Sequence, residues 1–189
     1  MKMNKEKLKY ELKRHIADST AMVSIATPVN AALETMVVGM TDEVSIKSRL
    51  WAAGITYAGL GSLTKIRDAS KKLCGITKQS REYVKGLHDI LFAGVFIVGI
   101  KPFIYLASGE NDWRKIGLAT LFSTLTTGAM AYPLGYAVDT YREVAGVEDS
   151  GRLPKFIEKQ DIKVKRALVT SFTAGCIGLA GLVYSFNGR

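Results

Sequence analysis

The chain has 189 residues, of which 48% are hydrophobic and 23% are charged, and its 26 lysines and arginines against 17 aspartates and glutamates give a net charge of +9. This length suits a single domain over residues 1–189, the abundance of charge excludes a chain that is buried in lipid throughout, and the apolar fraction excludes a disordered polycation. The charged residues are segregated from the apolar ones along the chain, and this segregation indicates the class of the protein.

In chain order, the first apolar segment contains Asp18 and Glu34, the second is short and rich in glycine, and the third contains Asp89 and Lys101. The fourth and fifth contain no charged residue and no histidine over 23 and 22 positions. At a rise of about 1.5 Å per residue, a helix of that length spans about 30 Å, the thickness of the hydrocarbon core of a bilayer. We therefore predict an all-α, polytopic membrane helix bundle, with spans over about residues 16–38, 50–66, 87–106, 116–138 and 167–186.

A soluble helical bundle with long core helices is the alternative to this interpretation. Core helices of soluble proteins usually carry a polar stripe at a spacing of about 3.6 residues. The fourth and fifth apolar segments carry no such stripe, and this favours the membrane interpretation.

The basic residues between the spans predict the orientation of the chain. Loops on one side of the membrane contain 20 lysines and arginines, and those on the other side contain 5. Because cytoplasmic loops carry the excess of basic residues, we expect a cytoplasmic N-terminus and, with five spans, a C-terminus outside. The excess of basic residues in the cytoplasmic loops, where anionic lipid headgroups attract them, then accounts for the isoelectric point near 9.5. Membrane lipid is therefore an expected partner and nucleic acid is not.

The sequence offers no signature of an enzyme, and we expect neither a metal nor a cofactor. Cys74 lies in a predicted cytoplasmic loop and Cys176 lies within the fifth span, so no disulfide is expected. His15 and His88 lack metal-ligand spacing to a cluster of carboxylates or cysteines. The glycines around residue 60 lack the Gly-Lys-Ser/Thr ending of a phosphate loop, and helix packing is the better interpretation of them.

Ionisable residues within the spans are unusual, because a charge at the centre of a bilayer costs about 2.5–3.5 kcal/mol on insertion scales. Asp18, Asp89 and Asp139 fall at the cytoplasmic ends of three different spans, and therefore at one depth. Arg14 and Arg142 lie four and three residues from the first and third of these, so each could form an ordinary helical ion pair. Interfacial carboxylates without a function therefore remain an alternative to a functional cluster.

Glu34 and Lys101 lie deeper, in the outer halves of the first and third spans, and could pair across two helices. A structural salt bridge and a proton- or substrate-linked pair are both open interpretations. Asn30 lies four residues before Glu34, hence on the same helix face, and Pro28 frees a backbone carbonyl near the middle of the span. Prolines also interrupt the third and fourth spans, and broken spans are where transporters often bind solutes.

Small residues at a four-residue spacing predict faces where helices pack closely. Five short spans enclose little volume for a solute path, so we expect a homo-oligomer with the path at its interface. The predicted packing positions are Ala131, Gly135, Ala174 and Gly178.

A series of short motifs runs from just before the first predicted span to just after the fourth. Its members are Arg14–Val23, Val29–Asn30, Glu34, Gly39–Met40, Ser48–Leu50, Arg67–Asp68, Asp89–Leu91, Asp112–Trp113, Gly135–Tyr136, Asp139 and Arg142. With this series, over about residues 10–146, the chain resembles the L-alanine exporter (AlaE-type) family of small bacterial inner-membrane proteins.

The resemblance implies four spans with both ends cytoplasmic, export of L-alanine driven by the proton gradient, and self-association through a Gly-x-x-x-Gly motif in the fourth span. Ala131 stands at the first glycine of that motif, and the fifth span lies beyond the resemblance. Lys101 does not match the family. The polar positions that match are Arg14, Asp18, Asn30, Glu34, Arg49, Asp68, Asp89, Asp139 and Arg142.

We therefore predict an inner-membrane transporter, not an enzyme, that exports L-alanine or a similar small amino acid. The carboxylates near the cytoplasm would hold the ammonium group of alanine, and a deeper carboxylate would take up a proton from outside. Another small metabolite as the substrate, and a structural or assembly subunit of a membrane complex, are the alternatives. The predicted substrate and proton pathway comprises Asp18, Asn30, Glu34, Asp89 and Asp139. The predicted supporting charges are Arg14, Arg49, Asp68, Lys101 and Arg142.

Overall fold

A computed structural model of the protein describes residues 5–59, 62–77, 80–148 and 155–187, and all the regular secondary structure in these ranges is helical. The side chains of residues 62–65, 67, 68, 82, 85, 89, 131, 132, 155 and 156 lie outside the description. The elements are α1 (Lys5–Ala32), a π-helical turn (Leu33–Val37), α2 (Asp42–Ala58), α3 (Ser62–Leu73), α4 (Glu82–Ala107), α5 (Trp113–Ala129), α6 (Ala131–Val144), α7 (Lys155–Glu158) and α8 (Ile162–Asn187).

The helices group into two compact units. The terminal unit comprises Met1–Ala32 and Tyr132–Arg189, and the central unit comprises Leu33–Ala131. Each unit has its own small apolar core and its own cluster of charged side chains. The single domain expected over residues 1–189 stays a prediction.

Alanines and a tyrosine form the small apolar core of the terminal unit. Ala17 and Ala21 of α1 share this buried cluster with Ala137 and Tyr141 of α6. The extensive helix contact in this unit is that of α1 along α8. The hydroxyl oxygens of Tyr141 and Thr173 lie 2.6 Å apart and connect α6 to α8.

The central unit is built on the packing of α4 against α5, with α2 and the π-helical turn beside them. Tyr105 is the largest fully buried side chain among the described residues. Its ring lies in an apolar cluster while its hydroxyl group reaches a buried carboxylate, so this core also positions polar groups. The buried members of the cluster are Val38, Met40, Tyr105, Ile116 and Ala119.

The predicted second span, residues 50–66, falls on parts of two helices, and its crossing of a membrane stays a prediction. Helix α2 ends at Ala58, where the Gly59 N–H donates to the Ile55 carbonyl at 2.9 Å, and a separate helix begins at Ser62. That helix, α3, has four basic residues and an aspartate among its 12 residues. Glycine contributes no polar side chain to a hydropathy pattern, yet it weakens a helix interior, so the apolar window concealed the break.

The predicted fourth span, residues 116–138, is divided at Met130. Helix α5 ends at Ala129, and Pro133 is the third residue of α6. Because proline has no backbone N–H, the Ala129 carbonyl cannot accept the hydrogen bond that would continue α5 into α6. The predicted span thus falls on parts of two helices, and Pro133 accounts for the division. Pro102, by contrast, lies inside α4 without ending it.

Two described helices are long and apolar enough to cross a membrane, Gly86–Ala107 within α4 and Ile162–Asn187, which is α8. They contain the predicted third and fifth spans. Large apolar side chains on both are exposed within the chain, among them Val95, Phe103 and Ile177. Exposed apolar surface of this kind is typical of contact with lipid. The number of five spans stays a prediction.

Candidate functional site

The central unit contains a fully buried carboxylate, that of Glu34, which is 0% exposed. It lies in the π-helical turn that follows α1, and such turns occur frequently at functional sites. The turn is followed by Gly39, whose φ of +72° lies in the left-handed region that favours glycine. The Met40 N–H then donates to the Glu34 carbonyl at 2.8 Å, which caps the turn and fixes the position of the carboxylate.

Helix α2 supplies three donors to this carboxylate from one face. The Thr41 hydroxyl oxygen caps the helix by accepting from the Val44 N–H at 3.3 Å, so α2 begins early enough to include these donors. The hydroxyl groups of Ser45 and Ser48 donate to Glu34 Oε2 at 2.7 and 3.0 Å. Arg49 Nη2 donates to Glu34 Oε1 and forms a buried salt bridge with it.

Helix α4 supplies the remaining partners from two residues four positions apart. The Tyr105 hydroxyl group donates to Glu34 Oε1 at 2.8 Å. Lys101 Nζ lies 3.6 Å from the same oxygen and donates to Tyr105 Oη at 3.1 Å. The hydroxyl oxygen of Ser123, on α5, lies 3.4 Å from Tyr105 Oη. We refer to Glu34, Ser45, Ser48, Arg49, Lys101, Tyr105 and Ser123 as the Glu34 cluster.

The Glu34 carboxylate forms ion pairs with Arg49 and Lys101, and the other groups bonded to its two oxygens are hydroxyl donors. Taking charges out of water costs several kcal/mol per ion, and partners of this kind offset that cost. Removing one member of a buried ion pair typically costs about 3–5 kcal/mol. A change in the charge of Glu34 would therefore alter the stability of the contacts between the π-helical turn, α2 and α4.

Ser48 gives this site a second hydrogen-bonding arrangement. Its hydroxyl oxygen lies 3.0 Å from Glu34 Oε2 and also 2.8 Å from the Ser45 carbonyl oxygen, and both are acceptors. A hydroxyl group has one hydrogen and can direct it to either acceptor. The hydrogen of Ser48 can thus leave the carboxylate without losing a partner, which would let the buried site accommodate a protonated Glu34.

The terminal unit contains a second cluster, centred on Arg142 of α6. Its Nε and Nη2 donate to Oδ1 and Oδ2 of Asp18, on α1, at 2.5 and 2.7 Å. This bidentate pair fixes the orientation of the guanidinium group. Nη1 lies 3.6 Å from Glu148 Oε2. The hydrogen bonds to Asp18 raise the pKa of Arg142, as do the charges of Asp18, Glu148 and Asp139, against the opposing effect of burial. We refer to Asp18, Asp139, Arg142 and Glu148 as the Arg142 cluster.

The structure brings together some of the predicted site residues and not others. Glu34 lies beside Lys101, and Asp18 pairs with Arg142 across two helices rather than with Arg14 along its own. The Asn30 side chain donates to the Ala26 carbonyl within α1 at 2.8 Å. The predicted site residues whose side chains lie outside the described part are Asp68, Asp89 and Ala131.

The other predicted packing positions make no close contact with a neighbouring helix in the part of the chain that the structure describes. A Cβ atom built on Gly135 or on Gly178 would meet no atom within 4 Å, and Ala174 is exposed on α8. The buried face of α8 instead carries Cys176 and Ala180. A role for the small residues in contacts between copies of the chain stays a prediction.

The sequence analysis did not identify Ser45, Ser48, Tyr105 or Glu148 as site residues. The usable signal for the first three was helical spacing, because the two serines are three residues apart and Tyr105 follows Lys101 by four. Glu148 carried no such signal, since its position depends on a turn after α6. Among the described residues, no group of three or more histidines, cysteines, aspartates or glutamates could hold a metal ion.

Comparison with known proteins gives one consistent result. The family described as L-alanine exporter matches residues 6–148. The L-alanine exporter AlaE of Citrobacter koseri is 29% identical over 133 residues, which cover 70% of this chain and 88% of that protein, and the same values hold for the protein of Escherichia coli K12. The L-alanine exporter AlaE of Salmonella arizonae is 27% identical over 138 residues, 73% of this chain and 91% of that protein. No solved structure matches the chain.

Proposed function

Because the chain belongs to the L-alanine exporter family, we propose that it exports L-alanine, or a similar small amino acid, from the cytoplasm in exchange for protons. A transporter family is not a family of enzymes. The family and the two apolar helices indicate a protein of the inner membrane. A structural or assembly subunit, the alternative function, is not favoured by the matched relatives, which are named as exporters.

The observation that carries the proton-driven part of the proposal is the Glu34 cluster. A membrane helix bundle has little reason to bury a carboxylate with an arginine and a lysine unless the charges are used or structurally required. Here the carboxylate is fully buried, and its cationic partners come from two different helices. Glu34 is therefore the proposed proton carrier, and Arg49 and Lys101 are the groups that respond to its charge.

The proposed coupling step begins when a proton from outside binds Oε2 of Glu34. Because Oε2 now carries the proton, the Ser48 hydroxyl group turns its hydrogen away from it and donates to the Ser45 carbonyl, which lies 2.8 Å away. Arg49 and Lys101 lose their counter-charge at the same moment. Because unpaired buried cations are unfavourable, the contacts of the π-helical turn with α2 and α4 weaken and the central unit opens.

The second half of the proposed cycle returns the protein to its starting state. Water that enters the opened central unit accepts the proton from Glu34, and the ionised carboxylate pairs again with Arg49 and Lys101. Alanine leaves the cytoplasm while protons enter it, so the gradient drives export. Asp18, Asn30, Asp89 and Asp139 are proposed members of the substrate path. The N-terminus is proposed to be cytoplasmic, the C-terminus outside, and the active form a homo-oligomer.

Everted membrane vesicles provide the test of this function, because their outer face is the cytoplasmic one. Vesicles that contain the protein should accumulate L-alanine when they are energised, and a protonophore should abolish the accumulation. A panel of glycine, L-serine and L-valine, offered as competitors, separates alanine from other small amino acids. Uptake no greater than in vesicles without the protein, at a verified protein level, would refute alanine export.

A further inference from the structure

We propose that Arg142 binds the carboxylate group of the exported amino acid at the nitrogen that Glu148 now faces, so that Glu148 is a built-in competitor of the substrate. The inference rests on the proposed function, because it assigns the binding group for the substrate of that transport. It also changes the role expected for Asp18. In the structure Asp18 holds the guanidinium group of Arg142 in place, and Arg142 is the residue that binds the substrate.

One edge of the Arg142 guanidinium group is hydrogen-bonded to Asp18, and its remaining nitrogen, Nη1, forms only a long ion pair. Nε and Nη2 bond to Asp18 at 2.5 and 2.7 Å, which fixes the plane of the group. Nη1 faces Glu148 at 3.6 Å, an ion-pair distance that is too long for a hydrogen bond. Since an arginine has five N–H donors in a planar fork, a second carboxylate can bond at this end of the group while Asp18 stays in place.

A turn after α6 brings Glu148 to this position. The Val147 N–H donates to the Arg142 carbonyl and the Gly146 N–H donates to the Glu143 carbonyl, both at 2.9 Å. This pair of bonds is the Schellman arrangement, and it requires the left-handed φ of +66° that Gly146 adopts. The chain therefore reverses direction immediately after the helix and returns the next carboxylate to the guanidinium group. The Glu148 side chain stays 53% exposed, so it can leave without unfolding the turn.

Charge and access both suit an amino acid zwitterion. The guanidinium group attracts a carboxylate, and the charges of Asp18 and Asp139, which also act on Arg142, attract the ammonium group beside it. Arg142 and Asp18 are 19% and 25% exposed in their side chains, so a dissolved ligand can reach them. Arg49, the other arginine in a cluster, is buried, and its Nε and Nη2 both bond to Ser48. Arg142 is therefore the better candidate for initial binding.

The test is the concentration dependence of L-alanine uptake by everted vesicles that contain the full chain with Glu148→Gln. Removing the competing charge should lower KM by about two- to five-fold, the factor that corresponds to an exposed ion pair, and should leave kcat unchanged. The matched control is Glu43→Gln, because Glu43 also forms an exposed ion pair, at 2.6 Å from Lys47 Nζ, but lies in the other unit. Its KM should equal that of the wild-type protein.

L-Alaninamide separates carboxylate binding from a general effect of charge, since it has the ammonium group of alanine but no carboxylate group. L-Alaninamide should inhibit uptake by the Glu148→Gln protein no more strongly than uptake by the wild-type protein. Propionate, which has the carboxylate group alone, should inhibit the Glu148→Gln protein more strongly than the wild-type protein. An unchanged or higher KM in Glu148→Gln, with normal uptake by the wild-type protein, overturns the inference and leaves the proposed function intact. Absence of uptake by the wild-type protein overturns both.

Discussion

Glu34→Gln removes the charge of the buried carboxylate and keeps its size. The glutamine oxygen can still accept from Arg49 and Tyr105, and its amide group can donate to the two serines if their hydroxyl groups turn. The change therefore leaves Arg49 and Lys101 without their counter-charge in a buried site and leaves the hydrogen bonds largely replaceable. We expect a loss of about 3–5 kcal/mol in the free energy of unfolding, the cost of breaking a buried pair.

The assay for this prediction is thermal unfolding of the purified protein in detergent. A loss of that size corresponds to a fall of about 6–20 °C in Tm for a chain of this length. Glu43→Gln is the matched control, and since its ion pair is exposed we expect no measurable shift. Glu34→Gln combined with Lys101→Gln should regain part of the lost Tm, because the second change removes one of the two unbalanced cations.

The result that would refute this reasoning is a Tm of Glu34→Gln no lower than that of Glu43→Gln. The carboxylate would then contribute nothing through its charge, and the coupling proposed for the central unit would lose its physical basis. A double variant less stable than Glu34→Gln alone would refute the narrower claim that Lys101 balances Glu34.

Three further predictions concern residues outside the buried ion pair. Ser48→Ala removes a hydrogen-bond donor to the Glu34 carboxylate and should cost about 1.5–3 kcal/mol, measured by thermal unfolding, and Ser48→Thr should restore the wild-type Tm; equal Tm values for all three proteins would contradict the role of the hydroxyl group. Thr173→Val removes the bond to Tyr141 and should cost about 0.5–1.5 kcal/mol, measured by thermal unfolding, whereas an unchanged Tm would show that the contact between α6 and α8 is dispensable. Gly178→Ile, on an open face of α8, should reduce chemical cross-linking between copies with little change in Tm, and undiminished cross-linking would exclude this face from the oligomer.

The apolar segments over residues 87–106 and 167–186 each fall within one long helix, α4 and α8, whereas apolar composition alone did not predict where the other helices end. Pro133 ends the continuity of a segment that has no charged side chain, and Gly59 stands where α2 ends. Hydropathy describes the partitioning of side chains. It does not describe whether a backbone carbonyl has a donor four residues later, which determines where a helix continues.

The contact between Glu34 and Lys101 could be predicted, because both residues fall at similar depths of neighbouring spans. The pairing with Arg49 could not, since that residue counts as a loop position until Thr41 is recognised as the cap that begins α2. The bond from Asp18 to Arg142 was equally inaccessible. A single sequence indicates partners along one helix, whereas this bond depends on how α1 packs against α6.

Glu148 illustrates the remaining gap between sequence and site. Its proximity to Arg142 depends on the left-handed conformation of Gly146 and on two backbone hydrogen bonds. Glycine near the end of a helix is a common signal for such a turn, and the direction in which the next residues leave is determined by packing. In both charged clusters the charged residues can be read from the sequence, whereas their pairing is determined by the tertiary structure.

The measurement that tests the central claim most directly is L-alanine accumulation in proteoliposomes that contain only the purified protein, with an imposed pH gradient. When the lumen is more acidic than the medium, the account predicts that the wild-type protein concentrates L-alanine above the outside level, and that it only equilibrates alanine when the two pH values are equal. Glu34→Gln should fail to concentrate alanine under either condition. Accumulation by the wild-type protein that is independent of the gradient, or gradient-driven accumulation by Glu34→Gln, would contradict the account.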